Sequence, residues 1–349
     1  MRIKINISSD FEPNTSIPRV YGIYDYIVVG AALAGAVVAS RLSESPKNRV
    51  LLLEAGGYQS RFSDIPGIDV FLSSLEFSWN YKTTPQTNAC LVYYKYFEFT
   101  CPFLLFKQCP YPRGKGLGGS SIINTLVHTR GNKADYDGWC KQENPGWCYH
   151  GIGGNINAEY IKPDSPLLKA FIEGNSELGR KVFDYNGKAQ LEVSKIQHDT
   201  IHGRRDSTGK AAPILPLRQD VEQYLNGYGR LTKASNLEGL GFFQTESEKT
   251  PGRPNIEIVI VPPSNSNGTE PPSFPFEQEY LEVLKTIDLT RTFKLGVALL
   301  RPKSRGVIKL RSPDPYEYPL INLNLLSDSN NEDIATLYDG IQIAVPKYY

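Results

Sequence analysis

The segment Pro112–Gly131, PRGKGLGGSSIINTLVHTRG, concentrates the groups in this chain best suited to holding a ligand. Glycines at 114, 116, 118 and 119 let backbone come close to a bound molecule and take positive φ. Ser120, Ser121 and Asn124 add hydrogen-bonding groups along the same approach. Gly-Gly-Ser-Ser followed by Ile-Ile-Asn predicts a loop entering a helix, whose free N–H groups favour an anionic or electron-rich ligand. A turn that binds nothing is the competing reading of any glycine-rich loop.

A second motif lies upstream. Tyr24–Val29 is a short apolar, β-branched run, followed by Gly30-Ala31-Ala32-Leu33-Ala34-Gly35, a helix-like Ala36–Leu42, and a second apolar run Arg49–Leu53 that ends at Glu54. This order is β-turn-α-β with an acid some twenty positions after the turn, as a dinucleotide site requires. Gly30 permits the tight turn and Gly35 a close helix–strand contact. Glu54 can accept hydrogen bonds from a ribose diol. The middle glycine of the fingerprint is replaced by Ala32, whose methyl is expected to weaken backbone approach to a pyrophosphate.

Taken together, the two motifs resemble the glucose-methanol-choline (GMC) family of FAD-dependent alcohol oxidoreductases, and within it the insect glucose dehydrogenase group. The matching segments are YDYIVVGAALAGAVVASRLSE from Tyr24, VLLLEAGG at Val50–Gly57, WNYKTTPQ at Trp79–Gln86, the Pro112–Gly131 block and DYDGW at Asp135–Trp139. Later ones are PDSPLLKAFIEGNSELG at Pro163–Gly179, LLRPKSRGVIKLRSPDP at Leu299–Pro315 and PLINLNLLSD at Pro319–Asp328. The resemblance implies an α/β fold, α+β overall: a Rossmann-like FAD-binding domain, incomplete here, with a substrate domain on an antiparallel sheet. It also implies FAD as cofactor. Gly30, Ala31, Ala32 and Gly35 would then line the pyrophosphate turn, with Glu54 on the adenosine ribose. Gly118, Ser121, Asn124, Thr125, Leu126 and Val127 would lie on the flavin side.

The activity implied is oxidation of the CH–OH group of a small alcohol or sugar, with electrons passing to a quinone-like acceptor. In the family a hydride leaves the carbinol carbon for flavin N5, and a histidine in a C-terminal segment takes the hydroxyl proton. The histidines here are His128, His150, His198 and His202, and none matches that position. No catalytic residue is therefore assigned, and the chain as written is expected to be catalytically impaired. A non-catalytic remnant or binding protein of the same ancestry is the alternative. An NAD-dependent dehydrogenase is disfavoured, because the Pro112–Gly131 block would have no purpose in one.

The elements that must position these motifs follow from composition and pattern. A chain of 349 residues can bury a large core and usually forms two domains. The net charge of +1 offers no nucleic-acid surface. The longest apolar run, Ile27–Ala39, falls short of the roughly 20 residues that span a bilayer, so it reads as buried strand and helix. Met1–Val20 lacks the apolar core of a signal peptide. Family members are often secreted, so localisation stays open; the sequons at Asn6, Asn14 and Asn267 matter only in that case. Cys90, Cys101, Cys109, Cys140 and Cys148 do not pair with histidines as a zinc site would, and no metal is expected. Cys90 and Cys109 flank an aromatic-rich insert, and either pair or remain buried thiols.

The domain plan is a polar, mobile leader over residues 1–23, a FAD-binding portion over 24–217 and a substrate portion over 218–349. Residues 91–108, LVYYKYFEFTCPFLLFKQ, read either as a buried hairpin or as foreign sequence of the kind a translated intron would give. Two family segments are absent, between Cys148 and His150 and near Leu217–Asp220, and the doubly wound sheet is expected to lack strands and leave apolar surface uncovered. A helix is expected at Pro166–Leu178 and another from Asn331. Strands are expected at Ile256–Val261, Phe293–Leu300 and Val307–Leu310, with a loop at Val261–Pro275.

Overall fold

A computed structural model describes residues 3–7, 22–60, 62–73, 75–90, 107–146, 156–160, 162–187, 189–208, 237–261, 282, 286–288, 292–314 and 316–345. A parallel sheet is built on the first motif. β1 (Ile3–Ile7), β2 (Tyr26–Val29) and β3 (Val50–Glu54) stand in the order β1-β3-β2, and α1 (Leu33–Ser43) connects β2 to β3. Val28, Ala31, Ala39, Leu42, Val50 and Leu52 pack together between this sheet and α1. The expected leader thus needs correction. Its alternating IKINI is a strand pattern, and Ile3–Ile7 pairs with β3 in register from Ile3 on Val50 to Ile7 on Glu54. On the other side β2 carries Ile27 and Val29, which are 61% and 80% exposed.

A second sheet is antiparallel: β6 (Glu192–Lys195), β9 (Gly239–Phe243), β10 (Ile256–Val261) and β11 (Lys294–Leu299), in the order β11-β10-β9-β6. Strict alternation makes β10 two-faced, with Ile256, Ile258 and Ile260 buried in step. That face is covered by α4 (Pro166–Glu177) and by α5 (Glu332–Ala344). The approach is close enough that a Cβ on Gly340 would lie 2.8 Å from Val297 Cγ1, and one on Gly239 2.9 Å from Phe171. α4 starts as its sequence requires, with proline at its first position and Ser165 Oγ accepting from Leu168 N–H at 3.1 Å. α5 is tied down by Asp333, which takes the N–H groups of Lys303 and Ser304 and the Ser304 hydroxyl. Burial pushes the Asp333 carboxyl up, but these bonds outweigh it and hold the group below the usual carboxylate range.

On the opposite face, Leu240 and Phe242 pack with Tyr185, Ile196 and Val259, and also with Val127. This contact brings the tail of the glycine-rich block onto the antiparallel sheet. The sheet crosses the boundary drawn at residue 217, since β6 comes from the portion read as irregular. Its pattern EVSK is too short to announce a strand, and pairing with β9 supplies what local preference does not.

The aromatic insert leaves and returns through a narrow neck. β4 (Tyr81–Lys82) pairs with β5 (Pro110–Tyr111), and the ladder continues from Thr83 N–H to Cys109 O and from Gln86 N–H to Lys107 O. Cys90 and Cys109 form a disulfide with Cα atoms 5.4 Å apart. Cys140 is disulfide-bonded as well. Residues 91–106 of the insert, the Leu217–Asp220 junction, the segment from Cys148 to His150 and nearly all of the Val261–Pro275 loop lie outside the described residues.

Candidate functional site

The Gly30 turn is set by its strand. Gly30 N–H donates to Leu53 O at 2.8 Å, continuing the β2–β3 ladder by one residue, and the chain then turns at φ +89°. A Cβ on Gly35 would sit 1.8 Å from Gly30 O, so only glycine lets α1 start this close to the turn. A Cβ on Gly30 would meet nothing within 4 Å, so the turn opens onto free space. No side chain caps α1 and no acid stands in its first turn, which leaves its first N–H groups without a local anion. Glu54 closes the turn from β3. Its Oε2 accepts from Ala31 N–H at 2.6 Å and its Oε1 from Gly56 N–H at 2.9 Å.

The second glycine-rich segment docks directly on this turn. Gly118 N–H donates to Ala31 O at 2.9 Å, and Leu117 N–H to Gly57 O at 2.9 Å. Gly119, at φ +54°, stands against Ala32 so closely that a Cβ on it would lie 2.4 Å from the Ala32 methyl. The replaced fingerprint residue thus turns its side chain toward the second loop. The expected helix after Gly-Gly-Ser-Ser is not formed. Gly119–Ile122 is a single 3₁₀ turn, and the chain then reverses through Leu126 at φ +61°. The reversal lets Val127 bridge His198 and pack on the antiparallel sheet, a tertiary contact stronger than the local helical preference.

Of the residues singled out from sequence, Gly30, Ala31, Ala32, Gly35, Glu54 and Gly118 meet at this junction. Ser121 is 6% exposed, with its hydroxyl on Gly118 O at 2.7 Å and on Thr208 Oγ1 at 3.2 Å, so it braces the loop from within. Asn124 is half-buried and Thr125 exposed. Leu126 is buried, and its carbonyl accepts from Asp199 N–H at 2.8 Å.

Sequence reasoning missed the clamp behind the loop. β7 (Thr200–Ile201) and β8 (Arg204–Arg205) form a hairpin, and its last residue and those just after it reach across to the loop. Arg205 Nη1 donates to Ser121 O, Asn124 O and Asn124 Oδ1 at 3.0, 2.8 and 2.6 Å. Its Nε donates to Ser63 O at 2.8 Å. Ser207 donates to Gln59, and Gln59 to Asp64, which ties in a third segment. The only signal in the sequence is a run of arginine, aspartate, serine and threonine in HGRRDST. That composition reads as a solvated loop until its burial is known.

The described histidines divide by environment. His198 is 2% exposed. His202 stands in a turn at φ +51°. His128 Nδ1 lies 2.6 Å from Asp199 Oδ1, and its carbonyl accepts from the Tyr185 hydroxyl at 2.7 Å and from Asn186 Nδ2 at 2.8 Å. Burial pushes the Tyr185 hydroxyl well above its usual range, so it stays protonated. Among the described residues no group of three or more His, Cys, Asp or Glu could hold a metal ion. No described helix is long and apolar enough to cross a membrane.

With this geometry established, comparison with known proteins decides the family. The family model described as GMC oxidoreductase matches residues 24–212. This chain belongs to the GMC oxidoreductase family. The glucose dehydrogenase [FAD, quinone] of Drosophila melanogaster is 34% identical over an alignment 448 positions long, gaps included, covering 92% of this chain and 69% of that protein. The oxygen-dependent choline dehydrogenase of Escherichia coli O6:H1 is 34% identical over 230 residues, covering 56% of this chain and 39% of that one. Among solved structures, pyridoxine 4-oxidase from Mesorbium loti superposes with a TM-score of 0.68 at 18% identity, covering 93% of this chain and 81% of that one. Formate oxidase from Aspergillus oryzae gives 0.68 at 18% identity, with 92% and 80% covered. These likenesses fix the GMC fold; the match over residues 24–212 covers both glycine motifs and the HGRRDST clamp.

Proposed function

We propose that this GMC protein binds FAD where the Gly30 turn meets the Gly118–Asn124 loop, and that its chemistry is oxidation of the CH–OH group of a small alcohol or sugar. The observation that carries the reading is the direct docking of the two glycine motifs. A dinucleotide needs one turn for its pyrophosphate and a second surface for its ring, and the joining of the two motifs through the Gly118–Ala31 hydrogen bond supports that reading. The residues fit the group. Gly30 leaves open space where a side chain would stand. The uncapped start of α1 offers N–H groups to a pyrophosphate. Each Glu54 oxygen already holds one backbone N–H and keeps lone pairs for a ribose diol.

Gly30, Ala31, Ala32 and Gly35 would hold the pyrophosphate and Glu54 the ribose, while Gly118, Asn124 and Thr125 face the ring. Ser121, Leu126 and Val127 position that loop. The bound flavin supplies the hydride acceptor. The chain's own work is to fix the loop, exclude water from its buried side and present Asn124. A quinone-like acceptor is part of the same proposal, drawn from the FAD, quinone dehydrogenases of flies that the chain is similar to.

Turnover also needs a base for the hydroxyl proton, which typically contributes about 10²–10⁴-fold. We assign none. His198 is buried, and the backbone of His128 is held by Tyr185 and Asn186 on the antiparallel-sheet side of the loop. The 349-residue polypeptide is therefore read as an impaired catalyst that keeps its cofactor site. The deciding experiment is purification with added FAD, followed by gel filtration and absorbance in the flavin bands. Stoichiometric flavin that co-elutes and is lost in Gly30→Val supports the site; its absence from the parent protein overturns it.

A further inference from the structure

Arg205 spends its guanidinium on one short turn. It is 4% exposed, and of the four hydrogen bonds described above, three go to Ser121 and Asn124. Burying an arginine is costly unless its donors are used. Here they are used on the carbonyls at both ends of the Ser121–Asn124 turn and on the Asn124 side chain. Nη1 holds all three of these oxygens while Nε holds Ser63 O, and lysine has the charge but no second nitrogen to hold both sides at once.

The chemistry of the donor settles which way the Asn124 amide points. A guanidinium has five N–H donors and no acceptor, so the group it meets at 2.6 Å must be the amide oxygen. The Nδ2 hydrogens then face away from Arg205, and among the described residues nothing accepts from them. An untethered amide could present either end to a ligand. This one is held with its donor end outward.

We propose that Arg205 is a positioning residue: it locks the Asn124 side chain so that its NH₂ group donates to an acceptor atom of the bound flavin. The proposal rests on the FAD reading above and adds the polarity of one contact and the residue that sets it. A ligand with an acceptor edge is accepted, whereas one presenting a donor there meets another donor.

Two variants separate holding from donating. Asn124→Asp keeps an oxygen for Arg205 and replaces the donor with a second acceptor. Its apo form should melt no lower than the parent, while its FAD dissociation constant rises about tenfold or more. Arg205→Met keeps much of the volume and loses every donor. In the apo protein it should speed amide hydrogen exchange across Ser120–Val127 by about tenfold, and leave α4 and α5 unchanged. If Arg205→Met does not fold, Arg205→Lys is read in the same exchange measurement and should show a smaller increase in the same segment. Exchange that stays at the parent's rate, or an Asn124→Asp protein that binds FAD as the parent does, overturns this proposal alone. A parent that takes up no FAD overturns the cofactor reading and the donor half of the proposal with it, while the exchange result still decides the holding half.

Discussion

The Ala32 methyl and the α-carbon of Gly119 face each other so closely that no side chain fits between them: a Cβ on Gly119 would lie 2.4 Å from Ala32 Cβ. This contact, beside the Gly118–Ala31 hydrogen bond, presses the two glycine motifs into one site. Each motif thereby sets the residue the other can tolerate.

Gly119→Ala should therefore separate the motifs. The new methyl meets Ala32 and also needs left-handed backbone at φ +54°, together a loss of about 2–3 kcal/mol. Flavin retention should fall with it. Adding Ala32→Gly removes the methyl but leaves the new Cβ 2.9 Å from the residue-32 α-carbon and the backbone strain in place, so the double variant should regain only part of the lost stability. Ala32→Gly alone should change flavin retention by less than about twofold, because the methyl faces the second loop. Thermal melting and flavin absorbance of the three variants measure this coupling. Additive losses would show that the two residues do not share the contact.

Much of this junction was legible in the chain. Gly30, Gly35 and Glu54 follow from the β-turn-α-β pattern, and the strand at Ile256–Val261 follows from its alternation. What escaped was tertiary. Ser120–Asn124 looks like a helix start, yet the chain bends at Leu126 because Val127 has a sheet to pack against. Arg205 looks solvated, because no single sequence reveals that backbone carbonyls 80 residues away will surround it. Ile3–Ile7 has a strand's alternation, but in a polar leader that pattern carries no partner until β3 supplies one.

Glu257 gives a pH signature. It lies on β10 opposite Phe242 and Ala298, and burial raises its carboxyl above the usual range. A raised folded-state value means the group's contribution is fully present below the unfolded value, near 4.3, and is lost as pH rises through the folded value. At neutral pH the charged form works against the fold. Glu257→Gln should raise Tm by roughly 1–3 °C at pH 8 and leave it unchanged near pH 3.5. An equal gain at both pH values would show that charge burial is not the cause.

The neck of the aromatic insert makes a deletion feasible. Cys90 and Cys109 have Cα atoms 5.4 Å apart, against about 3.8 Å for adjacent residues. Removing residues 91–108 therefore asks for a shift of under 2 Å. The Thr83–Cys109 backbone bond survives, the Gln86–Lys107 bond is lost, and Cys90 and Cys109, now adjacent, fall below the usual Cα separation of a disulfide and become thiols. The shortened chain should fold, melt within about 5 °C of the parent, which allows for these local losses, and aggregate less, since the deletion removes a stretch rich in Tyr, Phe and Leu of the kind that promotes association. Circular dichroism and light scattering report both. Failure to fold would show that the insert is part of the core and not an addition to it.

The last prediction concerns turnover. Proton abstraction needs a neutral imidazole or carboxylate within hydrogen-bond reach of the substrate hydroxyl. Among the described histidines His198 is sealed in, and His202 sits on a surface turn. His128 alone combines a half-buried ring with a carboxylate on Nδ1, the arrangement that orients an imidazole. Its backbone, however, is fixed against Gln197, Tyr185 and Asn186, on the antiparallel-sheet side of the loop. Purified protein with added FAD should therefore reduce an artificial dye with glucose or simple alcohols no faster than free flavin does. His128→Ala should leave that rate and the flavin content unchanged. Turnover above background that disappears in His128→Ala, with flavin still bound, would make His128 the base and reverse the reading of this protein as an impaired oxidoreductase.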